Sequence, residues 1–257
     1  MLPFRPRYIY TSFLVALVCR PGLAQDDLAD VRAKKRTLTP SELQYFLIGS
    51  AGKLQSPERG YKLLIVMPGG DGSADFLPFV QRIYNYALDD EYLVVQLLAP
   101  KWNEDQQIVW PTASSKVRGQ KASTEEFVNR AVDDLRQRTR LDDRHIFTLS
   151  WSSGGPAAYA ASLSKNTPVT GSFVAMSVFK PDQLPNLGRA KGKPYYIFHS
   201  PDDQVCPYRL AATARDKLRE AGATVEFTEY AGGHGWHGDV FDNIRKGIDW
   251  LERQAEN

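Results

Sequence analysis

An apolar, β-rich run, Phe147-Thr-Leu-Ser-Trp151, passes into Ser152-Ser-Gly-Gly-Pro156 and then into an alanine-rich stretch with helical character. This order requires a strand, a tight turn and a helix within a few residues. Such a turn can hold a serine in a strained conformation at the end of the strand with its Oγ exposed. The residues two before and two after that serine must be small, because strand and helix nearly touch there. The rule chooses among three serines. Ser152 has Ser150 and Gly154 at those places; Ser153 would need Trp151 to be small; Ser150 precedes the glycines that permit the turn. An ordinary Gly/Ser turn has the same local sequence, so the rest of the chain must decide whether Ser152 is a nucleophile.

A serine nucleophile on such a strand–helix scaffold needs an acid and then a histidine later in the chain. There are four histidines, His145, His199, His234 and His237. His145 lies seven extended residues before Ser152, roughly 23 Å away at ~3.3 Å per residue, and is read as structural. His199 precedes the candidate acid and is expected to brace its turn. His234 sits in the glycine-rich Tyr230-Ala-Gly-Gly-His-Gly-Trp236, after a β-like run and before an amphipathic helix. Catalytic groups of open α/β sheets gather at the C-terminal ends of strands, so His234 is the expected base, with His237 as the alternative. The acid is expected in His199-Ser-Pro-Asp-Asp-Gln-Val-Cys-Pro207, with Asp203 favoured over Asp202, which follows Pro201 inside the turn. An Asp-rich turn that caps its own backbone remains the competing reading.

A fourth segment, Lys62-Leu-Leu-Ile-Val-Met-Pro-Gly-Gly-Asp-Gly-Ser73, runs from a strand into a loop with three glycines in four residues. It lacks both the GxxxxGK[ST] lysine and the GxGxxG spacing of phosphate loops. It suits instead a loop that donates a backbone N–H to an oxyanion. Pro68 has no N–H, so the donors expected are Gly70 and, after the nucleophile, Ser153.

Pro68–Gly72, Ser150–Gly155, His199–Pro207 and Gly232–Trp236 together resemble the α/β-hydrolases. The likeness is to small secreted esterases of the phospholipase/carboxylesterase, dienelactone hydrolase and polyhydroxyalkanoate-depolymerase-like groups, over roughly residues 45–254. Where those groups usually have His-Gly at the oxyanion loop, this chain has Pro68-Gly69. Ser150 stands in the leading small position of the elbow, Ser200 where a glycine is usual, and Cys206 where a valine is usual. The resemblance implies an α/β-hydrolase fold, a mostly parallel sheet with helices on both faces, and a catalytic triad of Ser152, Asp203 and His234.

At 257 residues and 42% hydrophobic, the chain has material for one large core. Its amino end reads differently. Arg5 and Arg7 precede the apolar run Tyr8–Val18, and Gly22 and Ala24 supply small residues before Gln25. That is a signal-peptide layout, and the run is shorter than the ~20 residues of a membrane span. Residues 1–24 are therefore expected to be a cleaved leader, 25–44 a linker and 45–257 the α/β-hydrolase domain, secreted or periplasmic, with no stable membrane span. Loss of the leader takes three arginines and no acid, so the net charge goes from +2 to −1. Nothing in that balance favours nucleic acid as a partner. The run Arg32-Ala-Lys-Lys-Arg36 reads as a solvated linker or helix face. Cys206 is the one cysteine left after cleavage, so no internal disulfide can form.

Strands are expected at 45–48, 62–67, 92–98, 145–149, 171–178, 194–199 and 224–230, and helices at 76–88, 125–139, 154–163, 209–220 and 239–254. Two connections bear on substrate. Only 15 residues, Phe179–Lys193, fill the place where lids commonly enter, which predicts an open site with no large lid. The long segment Ala99–Thr124 carries Trp102 and Trp110 and is expected to wall the substrate site. Trp151 and Trp236 flank the proposed nucleophile and base and are expected either to add apolar surface for substrate or to brace the elbow. The expected chemistry is hydrolysis of a small-molecule or polymer-borne ester through a serine acyl-enzyme, with no cofactor and no metal: there is no HExxH pair and no cysteine cluster. An acyltransferase or a peptidase would use the same residues. A non-catalytic binding module on the same scaffold would be marked by a missing triad residue.

Overall fold

The structure, a computed structural model, describes residues 28, 30–49 and 56–256; the expected leader at 1–24 lies outside the described residues. Eight strands form one sheet: β1 (Ala33–Leu38), β2 (Leu43–Ile48), β3 (Tyr61–Met67), β4 (Tyr92–Leu97), β5 (Leu141–Trp151), β6 (Gly171–Ala175), β7 (Pro194–His199) and β8 (Thr224–Glu229). Their order across the sheet is β1-β2-β4-β3-β5-β6-β7-β8. β1 and β2 pair antiparallel, β2 meets β4 antiparallel, and every pairing from β4 to β8 is parallel.

Among the described residues five α-helices cover the sheet: α1 (Leu77–Ala87), α2 (Thr124–Arg136), α3 (Gly155–Ser162), α4 (Tyr208–Glu220) and α5 (Val240–Ala255). Alternation along the central strands explains the two layers. Leu63, Ile65 and Met67 of β3 face the core shared with α2, α3 and α4, while Leu64 and Val66 face the core shared with α1 and α5. Parallel strands buried on both faces read as continuous apolar runs, and β3 and β4 do. Helix α2 begins at a capping box, with Ser123 Oγ accepting from Glu126 N–H and Glu126 Oε2 accepting from Ser123 N–H.

The largest differences from expectation are an added strand and an early strand start, while β2 begins at Leu43, α2 ends at Arg136 and β6 ends at Ala175. The charged run read as linker or helix face contributes the edge strand β1, whose Leu38 pairs with Leu43 across the hairpin. Lys34 and Lys35 are exposed on that edge, and Arg36 reaches Asp134 of α2 at 2.9 Å. Lysines on an outer strand deter pairing with other chains, and the same residues hide the strand from a hydrophobic-pattern reading. β5 also starts earlier than expected, at Leu141 rather than 145. Asp142, near its start, accepts from Arg144 N–H and bonds His145 Nδ1 at 2.9 Å. His145 is thus a buried structural group, as expected.

The carboxyl end of α3 is held by Lys193, whose Nζ donates to Ser162 O at 2.8 Å and Val169 O at 2.9 Å. Burial pushes this amine down from 10.5 to about 8. Between those values the unfolded chain carries a proton that the folded chain has released, so stability from this group rises with pH across the window. Lys193→Met removes the effect. The Tm of the variant minus that of the native protein is expected to fall as pH is raised from 7.5 to 10; a difference constant with pH contradicts this.

Candidate active site

The elbow is built by close approach. β5 ends extended at Trp151, and Ser152 follows with φ +51°, opening a short 3-10 turn, Ser152–Gly154. A positive φ at a non-glycine residue costs on the order of 1–3 kcal/mol and persists only where the surroundings enforce it. Here Ser177 Oγ donates to Ser152 O at 2.6 Å. A Cβ on Gly154 would lie 2.2 Å from Met67 O, so the chain passes the end of β3 with no room for a side chain. The three serines are thereby sorted. Ser150 is buried in the strand with its Oγ toward Phe173 O, Ser153 Oγ donates to Gly70 O at 2.8 Å, and Ser152 Oγ lies 3.1 Å from His234 Nε2.

The loops that carry Asp203 and His234 follow β7 and β8. Asp203 Oδ1 accepts from Val205 N–H at 2.8 Å and Cys206 N–H at 2.7 Å. Its Oδ2 lies 2.8 Å from His234 Nδ1. The carboxylate can only accept, so Nδ1 carries the proton and Nε2 presents its lone pair to the Ser152 hydroxyl. Asp202 is exposed and Asp203 buried. His199 Nε2 donates to Cys206 O at 2.8 Å, bracing the acid turn, and burial lowers its pKa and favours the neutral form. His237 is exposed, and its ring lies beside Gly232, where an added Cβ would meet it at 2.8 Å.

Sequence reasoning missed two residues of this framework. Ser200 Oγ accepts from Asp202 N–H at 3.2 Å and from Gly233 N–H at 3.0 Å, tying the acid turn to the histidine loop. Ser177 fixes the elbow, as described. Ser200 had a signal, since it replaces a usual glycine; Ser177 is a lone serine after a strand and had none.

The tryptophans require a correction. Trp110 is 3% exposed, and its Nε1 donates to Pro68 O at 3.0 Å. It backs the Pro68–Gly72 loop and has no face for substrate. Trp151 is 5% exposed, packed edge-on to Phe76, Phe79 and Trp236 at centroid distances of 5.6–5.9 Å. Trp236 lies against Phe79, Phe173 and Phe198 as well, under the histidine loop. Tryptophan buries more apolar area than any other side chain, and here Trp110 and Trp151 spend it on bracing. Trp102 is partly buried against the core, with its Nε1 turned inward.

Asp203, Cys206 and His234 bring ligand-type atoms within 4.8 Å of one another. Both carboxylate oxygens of Asp203 are engaged in the hydrogen bonds above. Burial pushes the Cys206 thiol up to about 12. The set is better suited to proton transfer than to holding a cation. Between β6 and β7 the connection holds only two short 3-10 turns, Pro181–Gln183 and Leu187–Ala190.

This strand order, with its antiparallel β2 and its site at the carboxyl ends of β5, β7 and β8, defines the α/β-hydrolase fold. No family model matches the chain. It is similar to a thermostable esterase over 89% of its length, with 18% identity and a TM-score of 0.65, and it spans 64% of that esterase's chain. It is also similar to one of two fungal esterases from Rhizomucor miehei, with 12% identity, a TM-score of 0.67 and coverage of 90% of this chain and 84% of that one. A carboxylesterase from Mesorhizobium loti matches with 19% identity and a TM-score of 0.62, over 85% of this chain and 98% of the other. Likeness at these identities carries the fold.

Proposed function

We propose that the chain is a secreted serine esterase that hydrolyses carboxylic esters. The observation that carries this reading is the unbroken line Asp203 Oδ2–His234 Nδ1 at 2.8 Å and His234 Nε2–Ser152 Oγ at 3.1 Å, on a serine held at a strained turn. Ser152 Oγ attacks the ester carbonyl as His234 Nε2 takes its proton. Asp203 holds the imidazole and stabilises its cation without taking the proton. The N–H groups of Gly70 and Ser153 receive the oxyanion. His234 then protonates the leaving alcohol, and a water activated by the same nitrogen releases the acid. Esterases among the structural neighbours favour this reading over a binding module. Among the described residues no helix is long and apolar enough to cross a membrane, and the leader expected at 1–24 supplies the route of export.

The short connection between β6 and β7 leaves the substrate small or polymer-borne, met at an open surface. The purified protein is expected to hydrolyse soluble short-chain or aryl esters, with no jump in rate when the substrate forms droplets. Ser152→Ala is expected to abolish that activity. A preference for emulsified long-chain triglycerides with activation at the droplet surface contradicts the open site, and full activity of Ser152→Ala contradicts the mechanism.

A further inference from the structure

The loop that supplies Gly70 is pinned at three successive carbonyls. Pro68 O accepts from the Trp110 indole at 3.0 Å, Gly69 O accepts from Gly72 N–H at 3.0 Å, and Gly70 O accepts from Ser153 Oγ at 2.8 Å. The second of these fixes the peptide plane that carries the Gly70 N–H, because Gly69 C=O and Gly70 N–H belong to one planar unit. The Gly69–Gly72 turn has positive φ at Gly70, +58°, and not at Asp71. Glycine at the first central position adopts this at little cost, but it also leaves the central peptide, Gly70–Asp71, the easiest one in the turn to flip. Ser153 Oγ holds the carbonyl of that central peptide. Of the three pins it alone comes from the elbow.

We infer that the Ser153 hydroxyl is a positioning residue: by holding Gly70 O it ties the Gly70 backbone to the elbow and so keeps the two oxyanion N–H groups, Gly70 and Ser153, at a fixed separation. This rests on the esterase reading above and adds a role for a side chain that the backbone mechanism does not use. The physical reason is preorganisation. An oxyanion donor is worth most when its orientation needs no adjustment as charge develops. A hydroxyl on the residue that itself supplies one donor N–H closes a ring through Ser153 Oγ, Gly70 O and the Gly70 backbone, so neither donor can drift without the other. The bound ester asks less of these donors than the tetrahedral species does, so the clamp acts on the chemical step more than on binding.

Ser153→Ala keeps the N–H donor and removes only the clamp. Its kcat on a p-nitrophenyl ester is expected to fall about tenfold with KM within about twofold, since an interaction made mainly in the transition state lowers kcat and kcat/KM together. Affinity for phenylboronic acid, which forms a tetrahedral adduct on the serine, is expected to fall by the same factor, and Ser153→Thr to regain most of both. The Tm of the alanine variant reports whether the fold is intact. Alanine kinetics within twofold of the native protein, or a loss carried by KM with boronate affinity unchanged, overturns the clamp. If the native protein itself hydrolyses no ester and binds no boronate, the proposed function has failed and the clamp falls with it. An active native protein matched by Ser153→Ala removes the clamp alone.

Discussion

Replacing His234 with alanine is expected to lower kcat by a factor on the order of 10³ or more, with little change in folding. His234 bridges the other two, with Asp203 Oδ2 2.8 Å from Nδ1 and Ser152 Oγ 3.1 Å from Nε2. Without it the serine has no acceptor for its proton and the leaving alcohol has no donor. Asp203→Asn should bring a loss of similar order by a different route: an amide at that position no longer holds Nδ1 protonated and Nε2 free. His237→Ala tests the register of the loop. Its ring is exposed beside Gly232 and Tyr230, and the hydrogen bond to Ser152 comes from His234, so most activity should survive. Steady-state kinetics on a soluble aryl ester checks all three, and a silent His234→Ala with a dead His237→Ala would move the base by three residues.

The second large effect is structural. Gly154→Ala is expected to destabilise the protein by about 3 kcal/mol or more, toward the upper end for overpacking, because the clash is with main chain rather than with a mobile side chain. The added Cβ would stand 2.2 Å from Met67 O and 3.0 Å from Met67 C. Met67 closes β3 and is paired in register with Ser150 of the elbow strand. Neither partner can retreat without opening the centre of the sheet. A drop in Tm of roughly 10 °C, together with loss of ester hydrolysis, is the expected result. Native-like Tm and activity would mean that the elbow is looser than its packing indicates.

The parts of this site that were legible in the sequence are those where residue type is forced. The small residue two after Ser152, Gly154, is dictated by the carbonyl of Met67, and Asp203 and His234 follow strands β7 and β8 where apolar runs meet polar turns. What was not legible had no such forcing. β1 carries Lys34, Lys35 and Arg36 because it is an edge, and only Leu38 at its end is buried. Trp110 follows Ile108 and Val109 in a loop without periodicity, where nothing local says whether the indole faces in or out; its partner, Pro68 O, is 42 residues away. Ser177 and Ser200 act through single hydroxyls on backbone groups brought close only by the tertiary fold. The orientation of Ser153 is of the same kind: its N–H was readable from its place after Ser152, and its hydroxyl's hold on Gly70, 83 residues earlier, was not.

Peptide mapping after reaction with a fluorophosphonate probe tests the account most directly. The reagent phosphonylates an activated serine, and three serines lie within four residues here. A single adduct on Ser152 is expected, lost when His234 is replaced by alanine. An adduct on Ser150 or Ser153, or labelling of Ser152 that is indifferent to His234, would contradict it.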